Sequence, residues 1–240
     1  MITVVKKELQ QYFSGMLGYL SIGVFLLVSG IVVFILPETS VLAAGYASMD
    51  AFFEVAPFIM LFLLPAITMK TFSDEYKNGT FEVLRTTPVS VRGIVAGKFL
   101  ASLVVAVLAL VCTLVYPVSL SLLSPEGIDT GGVIGSYIGL IMLCGVYASI
   151  GIFTSSLQQN AVAAFLLGAL SCYLIYSVFS SISNIGALGN DFSYYFSLIG
   201  IRYHYENMSK GFIDTRDLIY FLSVMYLFMH LTVIRVKNRR

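Results

Sequence analysis

Residues Lys70 to Lys98 read KTFSDEYKNGTFEVLRTTPVSVRGIVAGK, a polar island between apolar runs long enough to cross a membrane. Lys70, Lys77, Arg85, Arg92 and Lys98 stand in it against Asp74, Glu75 and Glu82. A short Lys/Arg-rich loop beside spanning helices stays on the cytoplasmic side. The island is therefore expected to be an inner loop, and the place where whatever drives the protein docks.

The rest of the chain fixes the solvent. Charged residues make up 11% of 240 positions and hydrophobic residues 58%, with a mean hydropathy of +0.89, so no water-soluble surface can be assembled from what remains. The reading is a polytopic, all-α membrane protein. A net charge of +1 gathered in blocks between apolar runs is not the basic face a nucleic-acid binder needs. Cys112, Cys144 and Cys172 fall inside apolar runs, where a thiol behaves as a small hydrophobe and no disulfide framework is expected.

A bilayer core takes roughly 20 apolar residues per helix. Six runs approach that length: Tyr19 to Leu36, Val55 to Met69, Phe99 to Leu123, Val133 to Leu157, Ala161 to Ile182 and Leu218 to Val236. The second is short, but Ala51, Phe52 and Phe53 extend it toward Asp50, and Pro57 and Pro65 suggest a kinked span. The first run is too long for a signal-peptide core and is read as retained. Ahead of it Val5, Leu9, Tyr12, Phe13 and Met16 recur at helical spacing, with Lys6, Lys7, Gln10, Gln11 and Ser14 on the other side. That is the pattern of an amphipathic helix in the membrane interface, a cytoplasmic extension of the first span being the alternative.

If six helices alternate, Lys6, Lys7, the five basic residues of the island, and Arg235, Lys237, Arg239 and Arg240 share one side. Both termini are then cytoplasmic. Glu38, Asp50, Glu54, Glu126 and Asp129 fall on the other side, and only Arg202, Lys210 and Arg216 break the asymmetry.

The six runs hold no Asp, Glu, Lys or Arg before Arg235. Ion-coupled carriers keep such residues at membrane depth, so a secondary carrier is disfavoured. His230 lacks a carboxylate partner in its run. No His-Glu-x-x-His, paired intramembrane Asp or Ser/His set supports an intramembrane protease, and no phosphate-binding glycine loop is present. No catalytic or metal residues are assigned, and nucleotide energy, if used, comes from another polypeptide.

The run from Phe72 to Leu84, then Thr87 to Ser90 and Gly97-Lys98, resembles the first cytoplasmic loop of ABC-2 type transporter permeases, where a Glu, a Gly-Thr and a Glu-x-Leu precede a Pro and a Gly-Lys entering the third span. Phe13-Ser14 through Gly18-Tyr19, Pro65 to Met69, Tyr147 to Phe153 and Lys210 to Asp214 are similar to the permease subunit of the gliding-motility-associated ABC transporter. The resemblance implies a single permease domain over 1–240, with a coupling loop at about 70–98 and an outer helical segment at about 183–217, in the type V exporter-like architecture. It implies a cytoplasmic ABC ATPase carrying ATP and Mg, with no cofactor bound by this chain, and docking through Phe72, Asp74, Glu75, Tyr76, Gly79, Thr80, Glu82 and Leu84. It also implies a second permease half, the same chain or another, and a membrane-anchored partner with a large extracytoplasmic domain. The alternative is a non-transporting mechanotransmission or scaffold subunit.

Local chemistry adds detail to that loop. Thr71 is placed to cap a helical turn with Asp74, Gly79 permits a reversal, Thr80 can cap a second short helix, and Ser90 starts the helix into the third span after an extended Pro88. Gly131, Gly135 and Gly139 permit close helix approach, within the chain or between copies. Asn207-Met208-Ser209 matches a glycosylation acceptor by chance. Tyr194, Tyr195, Phe196 and Tyr203 are outer-gate candidates, a plain lid over helix ends being equally compatible. Asp214 and Asp217 are placed to cap the last helix after Gly211. Dimer-interface candidates are Pro57 and Pro65 on the second span and Ala163, Ala164 and Gly168 on the fifth.

Overall fold

The computed structural model describes residues 1–36, 48–85, 89–124, 128–183, 198–212 and 214–239. Among them every regular element is helical, the arrangement that satisfies backbone groups within the segment itself when hydrocarbon surrounds it. Five helices, Asp50–Lys77, Val91–Leu122, Thr130–Leu157, Ala161–Ser181 and Thr215–Asn238, are long and apolar enough to cross a membrane. The two N-terminal helices, bent by 67° to each other, make a sixth span if taken together.

Helix α1 (Ile2–Ser14) buries Val4, Glu8 and Tyr12, one residue per turn, and α2 (Met16–Phe34) follows after Gly15. Val5, Leu9 and Phe13, the face expected to lie in the membrane interface, pack partly against the core. Helix α3 (Asp50–Thr68) starts at Asp50, so Ala51 to Phe53 are helical and the short second run is a full span. Pro57 has no N–H to give the carbonyl four residues back. That carbonyl, of Phe53, accepts from the Tyr205 hydroxyl at 2.7 Å instead.

The polar island carries the two short helices expected within it. It comprises α4 (Lys70–Lys77), which follows α3 after an interruption at Met69, α5 (Thr80–Arg85), and the start of α6 (Val91–Cys112). Ser90 caps α6 as expected, accepting from the Gly93 N–H at 3.2 Å. Helix α7 (Val115–Leu123) continues the third span. Helix α8 (Thr130–Leu157), capped by Asp129, is the central post: 72% of its apolar window is buried, against 17% for α12 (Thr215–Asn238). Between them run α9 (Ala161–Tyr173), a π-helical turn (Leu174–Val178), α10 (Phe179–Ser183) and α11 (Ile201–Ser209).

Gly135 and Gly139 serve packing within the chain. A Cβ at Gly135 would lie 2.5 Å from the Met208 carbonyl oxygen, and one at Gly139 would lie 3.2 Å from the Tyr205 ring, so the two glycines seat α11 on α8. The main core gathers α3, α6 and α8 around Phe52, Leu64, Ala101, Leu140 and Tyr147. A second, smaller cluster of Phe72, Phe81, Ile94, Val95, Ile152 and Val236 lies under α4 and α5.

Candidate coupling site

The break at Met69 leaves the first N–H groups of α4 without partners on their own helix. A residue of α8 answers them. Ser155 Oγ accepts from the Phe72 and Ser73 amides at 3.0 and 3.2 Å and donates to the Met69 carbonyl at 2.9 Å. Thr71 does not cap this turn, since its hydroxyl donates to the Thr68 carbonyl at 2.6 Å.

Below α4 lies a buried charge cluster. Lys98, 1% exposed, donates to Glu8 Oε1 at 2.8 Å, to Glu75 Oε1 at 2.9 Å and to the Thr71 carbonyl at 2.6 Å. Its ammonium sits 4.9 Å from the centre of the Phe72 ring, and the more exposed Lys7 approaches Glu75 at 3.6 Å. Two carboxylates and two ammoniums make the cluster neutral, and the buried cation has all three of its protons used. A buried pair of this kind fixes geometry more reliably than it adds stability. Here it joins α1, α4 and α6. Two further contacts extend the clamp between α1 and α6: the Tyr12 and Ser102 hydroxyls meet at 3.3 Å, and a Cβ at Gly97 would lie 2.9 Å from Val4.

The other side of α4 is held by the C-terminal end of α12. The Arg239 guanidinium lies 3.7 Å from the Tyr76 ring centre and donates to the Ser156 carbonyl at 3.1 Å. Tyr76 packs edge-on against Phe81 at 4.9 Å and stacks near Phe72. Both ends of the chain therefore meet at α4.

These contacts sort the expected coupling residues. Phe72, Glu75 and Tyr76 form the inward pedestal, with Asp74 half-buried beside them. Lys77, Asn78, Gly79, Thr80 and Glu82 form an exposed tip. Gly79 has φ +69°, the left-handed region that a β-branched residue resists. Thr80 does not cap α5, because its hydroxyl donates back to the Glu75 carbonyl at 3.4 Å. Leu84 lies on α5, and its side chain is outside the described residues.

At the opposite end, the gate candidates Tyr194, Tyr195 and Phe196 lie outside the described residues, and Tyr203 lies on α11, half-buried against the His204 ring at 5.6 Å. Asp214 caps α12, accepting from the Arg216 N–H at 3.0 Å, and Gly211 has φ +84°. Asp217 has a different role from the expected cap: its Oδ1 lies 2.6 Å from His204 Nδ1, while His204 Nε2 lies 2.9 Å from the Leu198 carbonyl. Both ring nitrogens lie within hydrogen-bond distance of an oxygen. The pair pins α11 to α12.

The dimer-interface candidates are mostly used up inside the chain. Pro57, Pro65, Ala164 and Gly168 are buried, and Ala163 is half-buried. A Cβ at Gly168 would meet Thr154 Oγ1 at 3.0 Å and Pro65 at 3.1 Å. These small residues close α3 and α8 onto α9, and the surface left to a second copy consists of larger side chains such as Phe58, Phe62, Leu166, Leu170 and Tyr173.

Sequence reasoning missed Glu8, Ser155 and Arg239, and it counted Lys98 as a loop charge. The signal for Glu8 was present in the spacing of Val4, Glu8 and Tyr12, which puts one acid on a face that otherwise buries. Among the described residues no group of three His, Cys, Asp or Glu side chains could hold a metal ion. No curated protein matches the chain. A family model for ABC-2 family transporter proteins matches residues 10–234, which takes in all or most of every span, stopping one turn short of the end of α12, and the whole of the clamp except Val4, Lys7, Glu8 and Arg239. The chain belongs to the ABC-2 transporter family.

Proposed function

We propose that the chain is the membrane half of an ATP-driven transporter, and that a separate ABC ATPase seats on the tip formed by Lys77, Asn78, Gly79, Thr80 and Glu82. The observation that carries this reading is the clamp beneath the tip. The tip stands on buried aromatics and a buried ammonium that tie it rigidly to the bundle, a connection through which movement at the tip can pass. Here a push on α4 reaches α1 and α6 through Lys98, α8 through Ser155 and α12 through Arg239.

On this reading the end carrying both termini is cytoplasmic and the membrane is a bacterial inner membrane, as the placement of Lys and Arg supports. Two six-helix halves form the transporter, since one such bundle offers too little polar lining to enclose a path and two ATPase domains need two seats. The gliding-motility assignment, and with it an extracytoplasmic partner, is supported by the four sequence stretches that resemble that subfamily. Gly79→Val and Glu82→Lys should each abolish copurification of the ATPase while leaving the melting temperature of the purified chain within a few degrees of wild type. Wild-type copurification in both variants would remove the tip from the mechanism.

A further inference from the structure

At the end of the bundle away from the termini, α3, α8, α11 and the π-helical turn border an open pocket of about 750 Å³, within the range of sites that hold small organic ligands, with Asp50, Glu54 and Lys210 exposed at its rim. One wall is the first two turns of α3, where Asp50 and Glu54 stand four residues apart and both line the cavity. Neither carboxylate forms an ion pair or a side-chain hydrogen bond among the described residues. Lys210, just past the end of α11, lines another wall and is likewise unpaired. Arg202 is already engaged by Glu206 at 2.6 Å, and Asp129 is used in capping α8.

Tyr176 supplies the second observation. It is 3% exposed and lines the cavity. Its hydroxyl lies within electrostatic reach of Glu54, Arg202 and Glu206 yet has no hydrogen-bond partner among the described residues. Tyr205, its neighbour in the wall, gives its own hydroxyl to the Phe53 carbonyl. The residue is buried but its hydroxyl opens onto the chamber, so an entering group with an acceptor oxygen can take the place of water there. Phe58, 37% exposed on α3, also lines the cavity and packs edge-on against Tyr176 at 5.4 Å, so the apolar side of the chamber reaches the outer surface of the bundle.

We propose that this chamber binds a zwitterionic head group, an ammonium joined to a phosphate or carboxylate. The ammonium faces Asp50 and Glu54, the anionic oxygens take the Tyr176 hydroxyl and the Lys210 ammonium, and an acyl chain, where one is attached, leaves past Phe58. A simple anion would meet two uncompensated carboxylates. A simple cation would leave Tyr176 and Lys210 unanswered. The inference rests on the transporter reading only for which side of the membrane the chamber opens to, and the binding itself requires no ATPase.

The test uses the full-length chain without any ATPase, in phosphatidylcholine-free vesicles doped with phosphatidylethanolamine bearing a photoreactive acyl chain, beside vesicles doped with the matching phosphatidylglycerol. Adducts on the peptides containing Phe58 and Tyr176 should be about tenfold more abundant with the ethanolamine lipid, a preference equal to one well-made charged contact. The Asp50→Asn, Glu54→Gln double variant should lose most of that preference, and the Lys210→Gln and Tyr176→Phe variants, which remove groups facing the phosphate common to both lipids, should lower labelling by both, with adducts around the lipid-exposed Tyr226 unchanged. Saturation-transfer NMR with soluble glycerophosphoethanolamine separates the sources. A transfer signal that the double variant abolishes supports a free zwitterion, and lipid adducts without that signal support a membrane lipid. Equal labelling by the two lipids together with no transfer signal would overturn the proposal, as would full labelling preference in the double variant. Because no ATPase is present, either result leaves the docking of the ATPase to be judged separately.

Discussion

Lys98 shows how a single residue changes the reading of the chain. Counted as a loop charge, it helps to orient the protein. Located in α6, it is a buried cation bridging two carboxylates. Lys98→Met keeps the length of the side chain but leaves Glu8 unpaired and Glu75 with only the exposed Lys7 at 3.6 Å, and should destabilise the purified chain by about 3–5 kcal/mol, the usual cost of breaking a buried pair. Adding Glu8→Gln and Glu75→Gln should recover much of that loss, because no buried charge is then left without a partner and the remaining Lys7 is exposed to solvent. Thermal unfolding in detergent reads both, and an unshifted midpoint in Lys98→Met would show that the cluster is not formed. Ser155→Ala offers a milder version of the same test. It leaves the Phe72 and Ser73 amides without an acceptor and should cost about 1–3 kcal/mol, with faster amide exchange confined to the start of α4.

At the scale of elements, the spans were legible because membrane depth demands about 20 apolar residues in a row and little else can supply them. The start of α3 at Asp50, the cap at Ser90, the turn at Gly79 and the cap at Asp214 were legible for local reasons, since each depends on residues a few positions apart. The two short helices of the polar island, on either side of Gly79, were legible for the same reason, but what holds them was not, because Ser155, Lys98 and Arg239 are distant in sequence and a window of polar residues alone does not name them. The small residues of α3 and α9 announce a close approach without naming the partner, and for Gly168 the neighbours within the chain are Pro65 and Thr154.

Asp214 carries a pH dependence that belongs to α12. The Arg216 N–H that it accepts from, with help from Thr215, holds its carboxyl below the ordinary Asp value. A lowered carboxyl contributes its capping above the unfolded value and loses it as the pH falls through the folded one. Amide exchange at Arg216 should therefore stay slow from neutral pH down past the ordinary Asp range and rise only below it, after correction for intrinsic rates. Asp214→Ala should abolish that protection at all pH values, and an Arg216 amide insensitive to the substitution would show that the cap is not made.

For the whole molecule, the clamp makes one end of the bundle stiff where both chain ends converge, and the cavity gives the other end a chamber. An ATP-driven transporter of this family needs both, one end to receive movement and the other to act on. The central claim is that an ABC ATPase seats on the α4–α5 tip from the cytoplasm. A photocrosslinking amino acid at Asn78, in cells expressing the chain at native level, tests it most directly. The account predicts an adduct whose partner, identified by mass spectrometry, carries a nucleotide-binding P-loop, with no such adduct from the same probe at Lys210. Crosslinking of an ATPase from Lys210 but not from Asn78, or of no ATPase from either position, would contradict it.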